Sequence, residues 1–363
     1  MQVPQFRSFV DKGDYAYLEQ VFERNYIAEG PCCQEFLDRI KDIAGAPYGV
    51  LASNGTLALY LAMRALGIGQ GDEVIVQNVS FIASANAIEM CGATPVFIDI
   101  PHPHDLTVDL ERIEITPRTK GIMIAHLFGS ACTNIEEIRD FCRERGLWLI
   151  EDASQALAIN NGTTHCGMFG DMGTFSFYAD KTVTTGEGGL VVTPHEDAWD
   201  KMLYLRNQGR KSSGTFLHPQ IGYNFRMTDL QGALGLSQLD KLETIKTRKG
   251  EIAEMYRKHL APALGNGVEF MKLHPDFNYI PFRVIAFVPD AEKTMAHMKE
   301  HEIEPRTMFV PFHMQPSYKD SDSVRTSFPN SEACFAQGMC LPTWIGLTEE
   351  MIAHTCEKLI EGL

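Results

Sequence analysis

The chain has 363 residues, 44% of them apolar and 22% charged, with 47 acidic side chains against 32 Lys plus Arg for a net charge of −15. At roughly 150 residues per domain, that length suggests about two domains with a large core. So acidic a balance does not draw nucleic acid or an anionic membrane through its overall field, and an anionic ligand must find local donors.

No apolar run approaches the ~18 residues of a membrane span. The opening MQVPQFRSFVDKGD lacks a basic region followed by an apolar stretch, so a secretory signal is not expected. The 9 Cys are odd in number and form no C-x-x-C pair, which suits reduced thiols in a cytoplasmic enzyme. The 12 His show no zinc spacing. His102 and His104, in PHPH, read as a solvated turn, and no metal is expected.

In chain order, the first ~45 residues read as two helices around a turn at Gly30 and Pro31. From Tyr48 to Thr193 short apolar runs alternate with helical patterns. GVLAS is a strand and LALYLAMRAL a helix; DEVIVQN is a strand and FIASANAIEMC a helix. TPVFIDI, KGIMIAHLF and LWLIED are further strands, with IEEIRDFCRERG a helix before the last, ending at Gly146. Such alternation predicts parallel βαβ units with helices on both faces and ligands at the carboxyl ends of the strands. TFSFYA, GLVVT and NYIPFRVIAFV have stronger β character, and a long helical stretch starts near Thr228. The remainder mixes strands and helices. The expected division is residues 1–250, an N-terminal segment and a large domain with a mainly parallel sheet sandwiched by helices, and residues 251–363, a smaller C-terminal α/β domain.

Four segments carry chemistry. In Ser53-Asn54-Gly55-Thr56 a strand gives way to a helix, whose free N–H groups and dipole bind phosphate; the plain alternative is a helix cap. In LWLIEDASQ an apolar strand runs into Glu151 and Asp152. A carboxylate there is costly to bury without a cationic partner, and a protonated pyridine nitrogen would be one; the alternative is again a cap. In GTFSFYADKTVTTGEGGLVVT, Lys181 follows a β run and precedes a Gly-rich turn. Lysine in water, with a pKa near ~10.4, is a poor nucleophile, but withdrawn from solvent it becomes a covalent catalyst and proton shuttle. In IGYNFRMTDLQGALGLSQL, Asn224 and Arg226 precede a helix that Thr228 or Asp229 would cap, and could serve as donors to an anion.

SNGTLAL, EDASQA, SFYADKTVTTGEGG and GYNFRMTDLQGALGL, in this order and spacing, resemble the pyridoxal-phosphate (PLP)-dependent DegT-type NDP-ketosugar aminotransferases, a family within PLP fold type I. NYIAEGP, HLFG at His126, PFHMQPSY and CLPTWIGLTEEMI extend the similarity over nearly the whole chain. The resemblance implies that Lys181 forms a Schiff base with PLP, that Asp152 pairs with the pyridine nitrogen, and that Gln155 hydrogen-bonds the ring hydroxyl. Phe81 would stack on the ring. Gly55, Thr56 and Ser176 would hold the phosphate, and Asn224 would reach it from the neighbouring subunit of a homodimer. Arg226 would take a carboxylate of the donor.

The implied reaction is ping-pong. L-Glutamate leaves its amino group on the cofactor as pyridoxamine phosphate, and a nucleotide-linked ketosugar then accepts it, with Lys181 moving the proton in both halves. TFSFYADKTVTTGEGGLVVT and PFHMQPSY resemble the GDP-perosamine synthase branch, whose substrates are 4-keto-6-deoxyhexoses used in O-antigen and lipopolysaccharide biosynthesis. His313, Arg306 and Tyr318 are then candidates for the sugar pocket. A cyclitol aminotransferase and a pyridoxamine-phosphate-dependent sugar dehydratase are the alternatives on the same fold. The dehydratases carry His where this chain has Lys181. VPQFRSFVDKGDYAYLEQ and RNQGRKSSGTFLHPQ depart from the family pattern and could border the substrate pocket.

Overall fold

The computed structural model describes residues 1–211, 214 and 216–363. Part of the divergent RNQGRKSSGTFLHPQ segment therefore lies outside the described residues. Helices α1 (Asp14–Glu23) and α2 (Pro31–Ala44) flank the Gly30–Pro31 turn. Pro31 opens α2, where its missing N–H costs nothing, and Gly45 closes it at φ 67°.

Alternation follows: β1 (Tyr48–Ala52), α3 (Gly55–Ala65), β2 (Glu73–Gln77), α4 (Ala83–Met90), β3 (Thr94–Ile98), β4 (Thr119–Ala125), α5 (Ile135–Arg145), β5 (Trp148–Asp152), β6 (Met172–Ser176) and β7 (Gly189–Thr193). They build a seven-stranded sheet in the order β1-β7-β6-β5-β4-β2-β3. Pairs β2–β3, β2–β4, β4–β5 and β5–β6 are parallel, while β7 runs antiparallel to both β6 and β1. The segment between β6 and β7 contains no helix, so the chain has no crossover and returns beside the strand it left.

Alternate residues of each strand enter opposite cores. Ile75 and Leu149 face one layer with Phe36, Ile138 and Leu236, and Val74, Val76 and Ile150 face the other with Leu59, Ile88 and Met202. These layers are the helices α2, α5 and α7 (Asp229–Asp240) on one side, and α3, α4 and α6 (Glu196–Leu205) on the other. The fold is thus the mainly parallel, doubly covered sheet expected from the alternation.

The helical stretch after Thr228 is two helices, α7 and α8 (Leu242–Leu260), broken at Lys241. The Lys241 ammonium is tied to Asp14 at 2.9 Å and Asp11 at 3.1 Å. Thr228 and Gln231 form the reciprocal cap of α7.

A second sheet holds β8 (Glu269–Phe270), β9 (Val284–Phe287), β10 (Arg306–Thr307) and β11 (Gly338–Leu341), antiparallel throughout in the order β10-β11-β9-β8. The strand expected over NYIPFRVIAFV shrinks to Val284–Phe287. Ile280 and Phe282 instead donate backbone hydrogen bonds to Gly129 and Phe128 of the large sheet's β4–α5 loop. Helices α9 (Ala291–Glu300), α10 (Pro329–Gln337) and α11 (Glu349–Glu361) complete this half. Its core takes Ile252, Tyr256 and Leu260 from the far half of α8, and Val3 from the start of the chain, which pairs with Ile303.

Candidate active site

The site lies at the carboxyl ends of the central strands. Ala125, Asp152 and Thr174 sit side by side on β4, β5 and β6. The Asp152 carboxylate accepts hydrogen bonds from Ser84 Oγ (2.8 Å) and the Ser154 N–H (3.1 Å). Its neighbour Glu151 points to the other side of the sheet and is fully buried. There it accepts from the N–H groups of Gly167 (2.7 Å), Phe169 (2.7 Å) and Gly170 (2.6 Å), and meets His126 Nε2 at 2.8 Å. One residue's shift along a strand thus separates a structural carboxylate from one that faces ligand space.

At the adjacent strand end, Asn54 caps α3 by accepting from the Leu57 N–H at 2.9 Å. Gly55 opens that helix against β6. A Cβ at Gly55 would lie 3.0 Å from Ser176 Cβ and 3.3 Å from its Oγ. Glycine here lets the helix N-terminus and the Ser176 hydroxyl close on the same small space. The HLFG turn forms the roof: Phe128 takes a left-handed φ of 56° and donates its N–H to Gln155 Oε1 at 2.8 Å.

Lys181 sits in the β6–β7 segment. Its Nζ lies 4.3 Å from the Phe282 ring centroid. Part of the side chain remains open to the cavity, yet burial of the ammonium pushes its pKa down, and the nearby Arg283 adds to this. Asp180 and Asp152 pull the other way. Arg283, itself buried, pairs with Asp180 at 2.8 Å.

These groups face one cavity of about 400 Å³. It brings together Lys181, Asp152, Gln155 and Phe81 with Gly55, Thr56 and Ser176, and Arg306 stands at its edge. Phe81 packs edge-on to Phe309. Arg306 is exposed, its guanidinium 5.3 Å from the Phe6 ring, and it has no carboxylate partner among the described residues.

Four candidates are elsewhere. Asn224 is exposed outside the cavity, and Arg226 bonds Asn207 through its guanidinium. His313 does not line the cavity. It is a clip, bonding Asn78 at 2.7 Å and Glu332 at 3.2 Å and stacking on Phe328. Tyr318 is also outside, buried against Phe97 with its hydroxyl on Asn86 at 2.9 Å, and burial pushes its phenol up to about 12. The PFHMQPSY string is therefore held by packing in this chain, not by contact with the cavity.

Ser84, Phe128, Phe282 and Arg283 were not singled out from the sequence. Only Arg283 left a signal, a charge inside the apolar run IPFRVIAF.

The donor set fits a phosphorylated pyridine aldehyde. Hydroxyls and free N–H groups close one end, where any side chain at Gly55 would intrude, and an amine and a carboxylate face the space between. The fold is that of the PLP-dependent aminotransferases. DesV from S. venezuelae, solved with a ketimine intermediate, aligns with a TM-score of 0.91 at 27% identity, covering 99% of this chain and 98% of that one. A model of the DegT/DnrJ/EryC1/StrS aminotransferase family matches residues 9–360, and the chain belongs to that family. It is 36% identical to the GDP-perosamine synthase of Vibrio cholerae over 98% of this chain and 97% of that protein. It is 34% identical to that of Escherichia coli O157:H7 over 99% and 98%.

Proposed function

We propose that this aminotransferase moves an amino group from L-glutamate to a nucleotide-linked 4-keto-6-deoxyhexose, with PLP as carrier, in a cytoplasmic homodimer. The observation that carries the reading is the convergence of Lys181 and Asp152 on one cavity beside the α3 N-terminus. Similarity to two GDP-perosamine synthases supports the sugar class.

When bound, PLP supplies an aldehyde and a ring that withdraws electrons from the donor's Cα. Thr56, Ser176 and the N–H groups at Gly55 hold its phosphate. Asp152, oriented by Ser84, would be the carboxylate that stabilises a proton on the ring nitrogen. Gln155, whose Oε1 is engaged by Phe128, offers its amide N–H₂ to the ring hydroxyl. Lys181, whose amine faces this cavity, would hold the aldehyde end of the cofactor and would take the donor's Cα proton and return it. Burial lowers the pKa of this amine, which favours the neutral form that a base needs. Arg306, exposed and without a carboxylate partner among the described residues, takes an anionic group of donor or sugar nucleotide.

The homodimer is supported by what the monomer leaves outside. Phe216 and Ile221 are 90% and 83% exposed in the segment that leads to Asn224. A neighbouring copy covering this segment buries those side chains and receives Asn224 at its own phosphate end.

The test is direct. Protein loaded with PLP is given L-glutamate, then a panel of NDP-ketosugars and cyclitols, and the visible cofactor band and the product are followed. Loss of the band with glutamate and its return only with a 4-ketosugar is expected; return only with a cyclitol sinks the substrate claim. Mixing inactive Lys181→Ala and Asn224→Ala chains should restore part of the activity, because one site of the mixed dimer is then intact. No recovery sinks the shared site.

A further inference from the structure

Behind Lys181 lies a second buried amine that the proposed reaction does not use. Lys249, on α8, is 5% exposed. Among the described residues no hydrogen bond or ion pair reaches it, and its one described contact is the Phe282 ring, 5.9 Å from Nζ. It borders a small cavity of about 30 Å³ shared with Asp180, Lys181 and Arg283. An ammonium enclosed without a partner is costly, and proteins seldom keep one for stability.

The surroundings are short of negative charge. The Lys181 and Arg283 cations stand over the same Phe282 ring as Lys249, at 4.3 and 4.4 Å. Arg7 lines the small cavity from the N-terminal segment, and Cys340 of β11 faces Arg283. Against these cations, Asp180 gives one oxygen to Arg283 at 2.8 Å, while its other oxygen is buried without a partner. Asp152 acts on Lys181 from the far side. Burial pulls Lys249 down to about 7, with Arg283 and Lys181 contributing and Asp180 opposing. Two amines that border one small cavity and one ring, with so little counter-charge between them, disfavour each other's protonation.

We propose that Lys249 is a positioning residue for the Lys181 amine: its enclosed charge sets how readily Lys181 takes a proton. A proton on Lys249 keeps Lys181 neutral, the form that attacks an aldehyde and abstracts a proton. A neutral Lys249 lets Lys181 hold the proton it has taken. The inference rests on the reading of Lys181 as the cofactor-linking amine only for its consequence, since the coupling itself belongs to the cofactor-free chain.

The test compares wild type with Lys249→Met, Lys249→Gln and Lys249→Arg. Two midpoints are measured: the pH at which Lys181 of the cofactor-free protein becomes reactive to an acylating label, and the pH at which the visible band of the PLP-loaded protein changes. The neutral variants should raise both midpoints and the permanently charged Arg should lower them. Wild type should fall between, with a span of about one pH unit, a tenfold change in Lys181 reactivity at fixed pH. A structural disturbance would move Met and Arg the same way. Shifts of one sign in all variants, or none in any, overturn the proposal. If Lys249→Arg does not fold, Met and Gln decide together with their unfolding curves: raised midpoints in proteins at least as stable as wild type support the proposal, and raised midpoints in destabilised proteins, or unchanged or lowered ones, overturn it. A protein that forms no visible band but shows the ordered labelling midpoints keeps the coupling and loses the cofactor reading instead.

Discussion

Two buried polar clusters lie on either side of the central strands, and they are built to opposite rules. Around Glu151 every group is answered: backbone N–H groups of Gly167, Phe169 and Gly170 and the His126 ring meet its two oxygens, and the Cys132 N–H donates to His126 Nδ1 at 3.1 Å. Around Lys181 the groups are left short. Asp180 keeps an unmatched oxygen and Lys249 has no hydrogen-bond partner among the described residues. A saturated network rigidifies, but it has no donor or acceptor to offer a ligand. An unsaturated one costs stability and keeps its chemistry available. The first cluster has the character of scaffold, the second that of the proposed machinery.

The largest effect expected from that contrast is on turnover. Lys181→Ala should lower transamination by at least ~10⁴-fold while leaving the unfolding midpoint close to wild type. Steady-state rates and a denaturant curve check both halves. A variant that lost its fold and not just its rate would place Lys181 with the scaffold.

Glu151→Ala should do the reverse. It strands three N–H groups and His126, and should cost about 3–5 kcal/mol in chemical unfolding. A loss below about 1 kcal/mol would erase the distinction between the clusters. Asp152→Asn can still accept from the Ser154 N–H, while its NH₂ would donate to the Ser84 hydroxyl in a reversed bond; it loses the charge and should reduce kcat by about 10²–10³-fold with little change in stability.

Lys249→Met is expected to stabilise the protein, and pH sets by how much. The folded value lies near 7 and the ordinary one near 10.5, so between these the unfolded chain binds the extra proton and wild-type stability climbs with pH. The advantage of Met should be full below pH ~7 and shrink by about 1.4 kcal/mol per unit toward pH ~10. Unfolding curves at several pH values read it directly, and an advantage independent of pH contradicts the charge argument. The smallest effect belongs to His313→Ala, which removes a clip between Asn78 and Glu332. It should cost about 1 kcal/mol and leave kcat unchanged. A kcat loss beyond tenfold would return His313 to the sugar pocket.

Much of this was readable along the chain because it is local. The alternation of apolar runs and helical patterns dictates parallel units, Pro31 and Thr228 mark helix starts, and the strings around Gly55, Asp152, Ser176 and Lys181 each join a strand end to a turn. A parallel sheet then has little choice but to gather those strand ends at one edge. What sequence could not supply depends on groups far apart meeting. The return of β7 beside β6 depends on a connection too short of helix to cross over. The fate of His313 depends on Asn78 and Glu332. Arg283 and Lys249, from different elements of the chain, border one small cavity with Lys181, and Arg283 follows the segment that pairs with the HLFG turn. Periodicity reports which face a residue shows, and only the packed structure decides which charges are left without an answer.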